Sequence, residues 1–243
     1  MKNILVLIND SAGREARIQA ALDLTRALDG HLSCIKIVDL PPGSIEARLA
    51  AEDVPWSVIT GDGDVAEAIA LAAGLSDVIV ADCQADGPLD PDMLGIPSEI
   101  ALETHKPLVA VPESSRGFDA AGHAVVAWDG SFPAMAALTG AVPLLRLAAS
   151  VSIVEVQGDR PSSANDAAAY LSRHGIHPEV RLVPRVEDGS GEPAETLQRI
   201  CANESAAYCV MGAYGHSRLR ESLFGGVTRS MLGSSDIPLV VAH

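Results

Sequence analysis

Two short glycine-bearing stretches near the carboxyl end carry residues that could do chemistry. Met211-Gly212-Ala213-Tyr214-Gly215 follows an apolar run, and Gly225-Gly226-Val227-Thr228 opens the last helix-like segment. The spacing describes a long loop that leaves a strand and returns to a helix N-terminus. Glycines let backbone N–H groups approach a ligand without interference from a Cβ. A helix N-terminus adds free donors and the positive end of a dipole. Together they make an anion cradle, and the commonest anion in such a place is a nucleotide phosphate. Gly212, Gly215 and Gly225 are expected at the ligand, with Met211 leading into the loop. Gly226, Val227 and Thr228 stand where a phosphate would meet the helix. Arg218, Arg220 and Arg229 flank the loop and could neutralise phosphate charge, although arginines on such a loop are more often simply solvated. His216 has no partner acid or nucleophile placed by the sequence, so no catalytic residue is assigned.

The elements that must position these groups follow an α/β plan. Strands are predicted near 3–9, 31–38, 56–60, 77–81 and 107–111, and helices near 12–29, 45–53, 64–75 and 97–104. The pattern then recurs, with strands near 123–128, 151–156, 179–183, 207–211 and 238–242. The second set of helices is predicted near 132–148, 164–174, 193–203 and 227–233. Ser131 with Pro133, and Pro193 with Glu195, are helix-start signals; Pro143 should kink its helix. Leu5-Val6-Leu7-Ile8-Asn9-Asp10-Ser11 aligns with Ala124-Val125-Val126-Ala127-Trp128-Asp129-Gly130, which pairs Asp10 with Asp129. Lys106-Pro107-Leu108-Val109-Ala110-Val111 aligns likewise with Ile237-Pro238-Leu239-Val240-Val241-Ala242. A repeat of this length points to a duplicated domain, here 1–113 and 121–243, with a linker near 112–122. Alternating strands and helices imply doubly wound parallel sheets, in which ligands sit beyond the carboxyl ends of the strands. Asp129 ends a first strand there and could contact a ligand, cap the next helix, or do both.

Composition narrows the function. Hydrophobic residues make up 48% of 243 residues but aromatics only 3%, so the core must be aliphatic. A net charge of −15 argues against nucleic acid and against anionic membrane as partners. The short apolar run after Lys2 is no signal peptide and no stretch has the length of a membrane span, so a cytoplasmic protein is expected. Cys34, Cys83, Cys201 and Cys209 lack CxxC spacing and read as reduced, packed thiols. His174 and His177 lie in a turn beside Gly175 and Pro178, a poor metal site. Gly61-Asp62-Gly63-Asp64-Val65-Ala66 matches GxGxxA, but it follows a third strand and puts aspartates where a pyrophosphate would lie; a turn with Asp64 as N-cap explains it. There is no GxxxxGK(S/T) and no GxSxG.

The glycine spacing resembles that of the universal stress protein family, whose nucleotide-binding members carry G-2x-G-9x-G-(S/T) near the carboxyl end. Gly212, Gly215 and Gly225 fit; Gly226 departs, standing where the family prefers Ser or Thr. The resemblance spans the chain as two tandem copies. It implies two five-stranded sheets of order 3-2-1-4-5 related by a pseudo-twofold, so that Asp129 and the Gly212 loop, on first and fourth strands, share one crevice. It implies ATP or AMP as ligand, contact from Asp129 to the nucleoside and a backbone contact to adenine near Val156; Mg²⁺ is expected to accompany the nucleotide. It further implies a regulatory role in a stress response. Single-domain members pair through the last strand, which a tandem chain can do internally, between 107–111 and 238–242; a further homodimer is left open. In the first half the corresponding loop reads Asp82-Cys83-Gln84-Ala85-Asp86-Gly87-Pro88-Leu89-Asp90-Pro91-Asp92, with Asp82 in place of the first glycine and Ala85 in place of the second. Residues 1–120 carry 8 basic and 20 acidic groups, against 9 and 12 in the remainder. A vestigial first site and a working second site are expected. The rival readings are a slow ATPase and a nucleotide-free scaffold that binds a protein or another small molecule.

Overall fold

Runs of Val, Ile and Leu bounded by glycine, proline and polar turns set the strands, because branched side chains suit a pleated surface buried on both faces. The computed structural model describes residues 1–36, 41, 43–60, 65–83, 106–156, 163–184, 193–213 and 226–243. Its first half contains β1 (Asn3–Ile8), α1 (Arg14–Ala27), β2 (His31–Lys36), α2 (Ser44–Leu49), β3 (Trp56–Thr60), α3 (Val65–Gly74), β4 (Val78–Asp82) and β5 (Leu108–Val111). The second contains β6 (His123–Trp128), α4 (Phe132–Leu145), β7 (Ser150–Val156), α5 (Ala164–Arg173), β8 (Glu179–Val183), α6 (Pro193–Asn203), β9 (Tyr208–Gly212), α7 (Gly226–Ser234) and β10 (Leu239–Ala242). The helix expected over 97–104 and the GxGxxA turn at 61–64 lie outside the described residues. Helix α4 runs unbroken through Pro143 and stops two residues later.

The strands form one mixed sheet in the order β3-β2-β1-β4-β5-β10-β9-β6-β7-β8. Neighbours are parallel except at the centre, where β5 and β10 pair antiparallel with Val109 opposite Val240. Both central strands are buried along their length. One face of the sheet packs Val6, Val80, Val126 and Val210 under Leu22, Leu49, Leu138 and Leu171 of α1, α2, α4 and α5. The other packs Leu5, Ile79, Val125 and Val241 under Ala73, Leu197 and Met231 of α3, α6 and α7. The segment read as a linker is itself packed: Phe118 is buried, its ring centroid lies 4.9 Å from that of Tyr208, and its N–H donates to Asp23 Oδ2 of α1 at 3.0 Å.

The strand register corrects the repeat alignment by one residue. Both β1 and β6 begin on the residue that faces the start of the next strand, Asn3 opposite His31 and His123 opposite Ser150. Counting on from there, Asn9 rather than Asp10 is the counterpart of Asp129. The turns agree, since Ser11 N–H donates to Asn9 Oδ1 at 3.0 Å and Ser131 N–H to Asp129 Oδ1 at 2.9 Å. The two halves share a side-chain oxygen closing this turn, not an Asp as such, and Asn supplies that oxygen equally well. Asp10 instead meets Arg14 at the surface, 2.7 Å away.

Candidate functional site

β6 and β9 end side by side, with Ala127 opposite Met211, and the carboxyl ends of such strands are where a ligand crevice is expected in an α/β sheet. Beyond β6 the chain turns at Asp129 and Gly130, the latter at φ 70°. The exposed Asp129 closes this turn, and Ser131, not Asp129, caps α4: its Oγ accepts from Ala134 N at 3.2 Å, with Pro133 in the first turn. An Asp two residues before the cap tightens the turn and directs the α4 N-terminus alongside the crevice.

Beyond β9 the fit is closer still. Met211 is buried in the core, and Gly212 lies against the start of α4. A Cβ on Gly212 would come within 2.5 Å of Ala134 N and 2.7 Å of the Pro133 carbonyl carbon, both backbone atoms. The Gly212 carbonyl accepts from Thr228 Oγ1 at 3.3 Å, tying the first turn of α7 to the end of β9. The Thr228 hydroxyl therefore serves the fold, leaving its N–H among the donors that a helix start exposes. Gly226 is exposed at the head of α7, and no atom lies within 4 Å of where its Cβ would be. Val227 is half-buried beside it, and Val156 is half-buried at the end of β7, opposite Val183. Thus Asp129, Met211, Gly212, Gly226, Val227 and Thr228 cluster at the ends of β6 and β9, and Val156 stands on the far side of β6. Gly215, Gly225, His216, Arg218 and Arg220 lie outside the described residues. Arg229 is exposed on α7.

Three further residues support this rim. Buried Glu155, next to Val156, accepts from Ala164 N at 3.0 Å and so caps α5 from the neighbouring strand. Trp128 Nε1 donates to Ser163 Oγ at 3.0 Å. The one signal for Glu155 in the sequence is a lone charge inside an otherwise apolar strand, shortly before a helix start.

The first half differs at the same place. Asp82 ends β4 as Gly212 ends β9, and its carboxylate forms an ion pair with Arg17 of α1, a side chain only 1% exposed. Asn9 Nδ2 donates to Asp82 Oδ2 at 3.0 Å, and Ser11 Oγ donates to it at 3.2 Å. Arg17 also reaches Asn9 Oδ1 at 2.5 Å and Ser11 Oγ at 3.2 Å. In the second half the positions of Arg17 and Asp82 hold Ala137 and Gly212. What remains beside the first-half network is a cleft of about 220 Å³ whose wall includes Ser11, Gly13, Asp82 and Glu113. Burial pushes the Cys83 thiol at its edge up to about 12, far from the reactive thiolate range. All four cysteines are free and buried. Among the described residues no three His, Cys, Asp or Glu side chains are grouped to hold a metal.

The sequence model of the universal stress protein family matches residues 121–243. The chain belongs to the universal stress protein family. Its match covers the half in which β9 ends at Gly212 and α7 begins at Gly226. Among solved structures, a universal stress protein from Archaeoglobus fulgidus is similar over 99% of this chain and 98% of its own, with a TM-score of 0.75 and 16% identity. A putative universal stress protein from Pseudomonas aeruginosa covers 98% and 92% at a TM-score of 0.64 and 16% identity. The cytoplasmic domain of a prokaryotic cation chloride cotransporter is similar over 99% and 95%, with a TM-score of 0.56 and 14% identity. At these identities the likeness speaks for the fold. No curated protein sequence matches the chain. As a universal stress protein it has a fold of α/β class, and none of its described helices is long and apolar enough to cross a membrane.

Proposed function

We propose that this universal stress protein binds one adenine nucleotide, ATP or AMP, in the crevice between β6 and β9, and that it acts as a regulatory binding protein in a stress response. The chain is read as two copies of a 3-2-1-4-5 domain, 1–113 and 121–243, of which the second holds the ligand. The observation that carries this reading is the convergence of the Asp129 turn, Gly212 and the open Gly226 at neighbouring strand ends. Asp129 would accept from nucleoside hydroxyls and the backbone near Val156 would meet the base. The exposed donors at the head of α7 would receive phosphate. A Mg²⁺ ion would arrive held chiefly by phosphate oxygens, as that ion commonly is.

The test is calorimetric titration of ATP with Mg²⁺ into the full chain, with Gly226→Ser and Asp129→Ala alongside. Micromolar binding near one site per chain is expected. Gly226→Ser, for which there is room, should tighten it about tenfold by adding one hydroxyl to a charged acceptor. Asp129→Ala should weaken it by a similar factor. Absent binding in both the natural chain and Gly226→Ser would sink the reading and favour the nucleotide-free scaffold. Sustained phosphate release would favour a slow ATPase.

A further inference from the structure

At the opposite end of the sheet, the amino ends of β6, β7 and β8 frame a cleft of about 630 Å³. That lies within the range of roughly 300–1,000 Å³ typical of small-molecule sites. Three side chains on its wall form a hydrogen-bonded chain. Ser150 Oγ lies 2.7 Å from His123 Nδ1, and His123 Nε2 lies 2.8 Å from Glu204 Oε2. The other carboxylate oxygen lies 2.6 Å from Arg181 Nη1. Ser152 Oγ stands 3.3 Å from His123 Nε2 and shares that side of the ring. Exposure rises along the chain: the Glu204 side chain is 11% exposed, that of His123 is 19%, and Ser150 faces solvent.

The chemistry of each partner fixes the direction of the bonds. A carboxylate only accepts, so in the neutral ring the proton sits on Nε2, facing Glu204. Nδ1 is then a lone pair, and the Ser150 hydroxyl donates to it. A hydroxyl donating to an imidazole that is oriented by a half-buried acid is the arrangement of an activated nucleophile. The order of exposure suits that role, with the acid shielded and the hydroxyl open to the cleft.

We propose that this cleft hydrolyses small activated acyl esters, with Ser150 as nucleophile, His123 as general base and Glu204 as the positioning residue for His123. Ser150 Oγ attacks the acyl carbon while its proton passes to His123 Nδ1. The bond from the acyl carbon to the leaving oxygen breaks, and that oxygen takes the proton from Nδ1. Water then attacks the acyl-serine, giving a proton to Nδ1, which returns it to Ser150 Oγ as the carboxylic acid leaves. Ester and water are consumed; acid and alcohol are formed. Asn203 lines the same cleft and is a donor for the transient oxyanion, whereas Arg181 on the same wall is engaged with Glu179 and Glu204. This activity is separate from the nucleotide crevice and does not depend on it.

The full chain would be given p-nitrophenyl acetate and, separately, a fluorophosphonate probe, with the adduct located by peptide mass mapping. The natural chain should turn over the ester and carry the adduct on Ser150. Ser150→Ala should lose the adduct and at least tenfold of the rate with an unchanged melting temperature, since Ser150 is exposed. His123→Gln should lose about a hundredfold. Glu204→Gln should lower kcat with little change in KM, a split that a merely structural ion pair would not produce. Absence of an adduct at Ser150, equal turnover by Ser150→Ala, or labelling of His123→Gln at the natural rate would each overturn the proposal.

Discussion

Gly212→Ala should destabilise the protein by about 2–3 kcal/mol, and this follows from packing without any reference to a ligand. The added methyl would stand 2.5 Å from Ala134 N, 2.7 Å from the Pro133 carbonyl carbon and 3.0 Å from Ala134 Cα. All three are backbone atoms at the head of α4, held by the Ser131 cap, so no side chain can swing aside. Overpacking typically costs about 1–3 kcal/mol, and an immovable neighbour belongs in the upper part of that range. For a chain of this length each kcal/mol shifts the melting temperature by about 2–4 °C, so a drop of roughly 5–10 °C is expected. Gly226→Ala is the matched control, because nothing lies within 4 Å of its Cβ position; it should stay within about 0.5 kcal/mol of the natural protein. Paired thermal and urea melts read both. If Gly212→Ala melts with the natural protein, β9 and α4 do not approach as described and the reasoning fails. The outcome also bears on function. A Gly212 variant that loses a ligand reports a damaged crevice, not a contact, which is why Gly226 and Asp129 are the better probes.

Three other outcomes are expected. Asp82→Ala leaves the buried Arg17 guanidinium without its counter-ion and should cost roughly 3–5 kcal/mol, whereas Arg17→Ala with Asp82→Gly, which copies Ala137 and Gly212, should recover more than half of that in urea unfolding. Asp77 accepts from Lys2 N at 2.5 Å and Asn3 N at 2.9 Å, and these bonds, Lys2 first, hold its carboxyl below the usual range. Its stabilisation is therefore complete above the unfolded value near pH 4 and is lost as pH falls through the lower folded value. The stability gap between the natural protein and Asp77→Asn should close below about pH 4; a gap that persists there contradicts the assignment. Tyr208 is fully buried and its hydroxyl has no partner among the described residues, so Tyr208→Phe should raise stability by about 1 kcal/mol, seen as a melting temperature about 2–4 °C higher.

The strands and most helices were legible because period and punctuation are local: apolar runs of five or six residues, Ser131 before Pro133, glycine and proline between elements. Boundaries differ by a few residues at helix ends, as at α1, which spans Arg14–Ala27, and α4, which spans Phe132–Leu145. The tie between Gly212 and Thr228 was legible for a related reason, since Met211 to Thr228 is a stretch of only 18 residues. Two things were hidden. The one-residue slip between Asp10 and Asn9 is invisible in residue identity, because the turn needs only a side-chain oxygen, which either residue carries. The chain from Ser150 through His123 to Glu204 draws on β7, β6 and the turn after α6, and His123 and Glu204 are 81 positions apart. No spacing announces residues that only the sheet brings together. Glu155 lies between these cases, visible as a lone charge in an apolar strand but with its role readable only once α5 is in place.

The divergence of the two halves is a single exchange seen twice. Where a strand end meets the following first helix, there is room either for an acid and its arginine or for a close approach of strand to helix. The first half has Asp82 and Arg17; the second has Gly212 and Ala137, with α4 settled onto β9. The choice determines what else can enter. The Asp82 carboxylate already accepts from Arg17, Asn9 and Ser11, and Glu113 stands on the same cleft wall. An anion arriving there would meet like charge and would have to compete for donors already engaged, in a half that carries most of the chain's excess of acid. At the second crevice Gly226 presents open space and a helix start, and β9 ends on Gly212 where β4 ends on Asp82, which leaves Asp129 at the end of β6 as the carboxylate described there. A ligand with phosphate should therefore titrate to one site per chain. A second site should not appear on removing Asp82 alone, since a net charge of −11 would remain over residues 1–120. Two equal sites in the natural protein would show that the Arg17–Asp82 pair opens on binding and that the exchange is a switch instead of a seal.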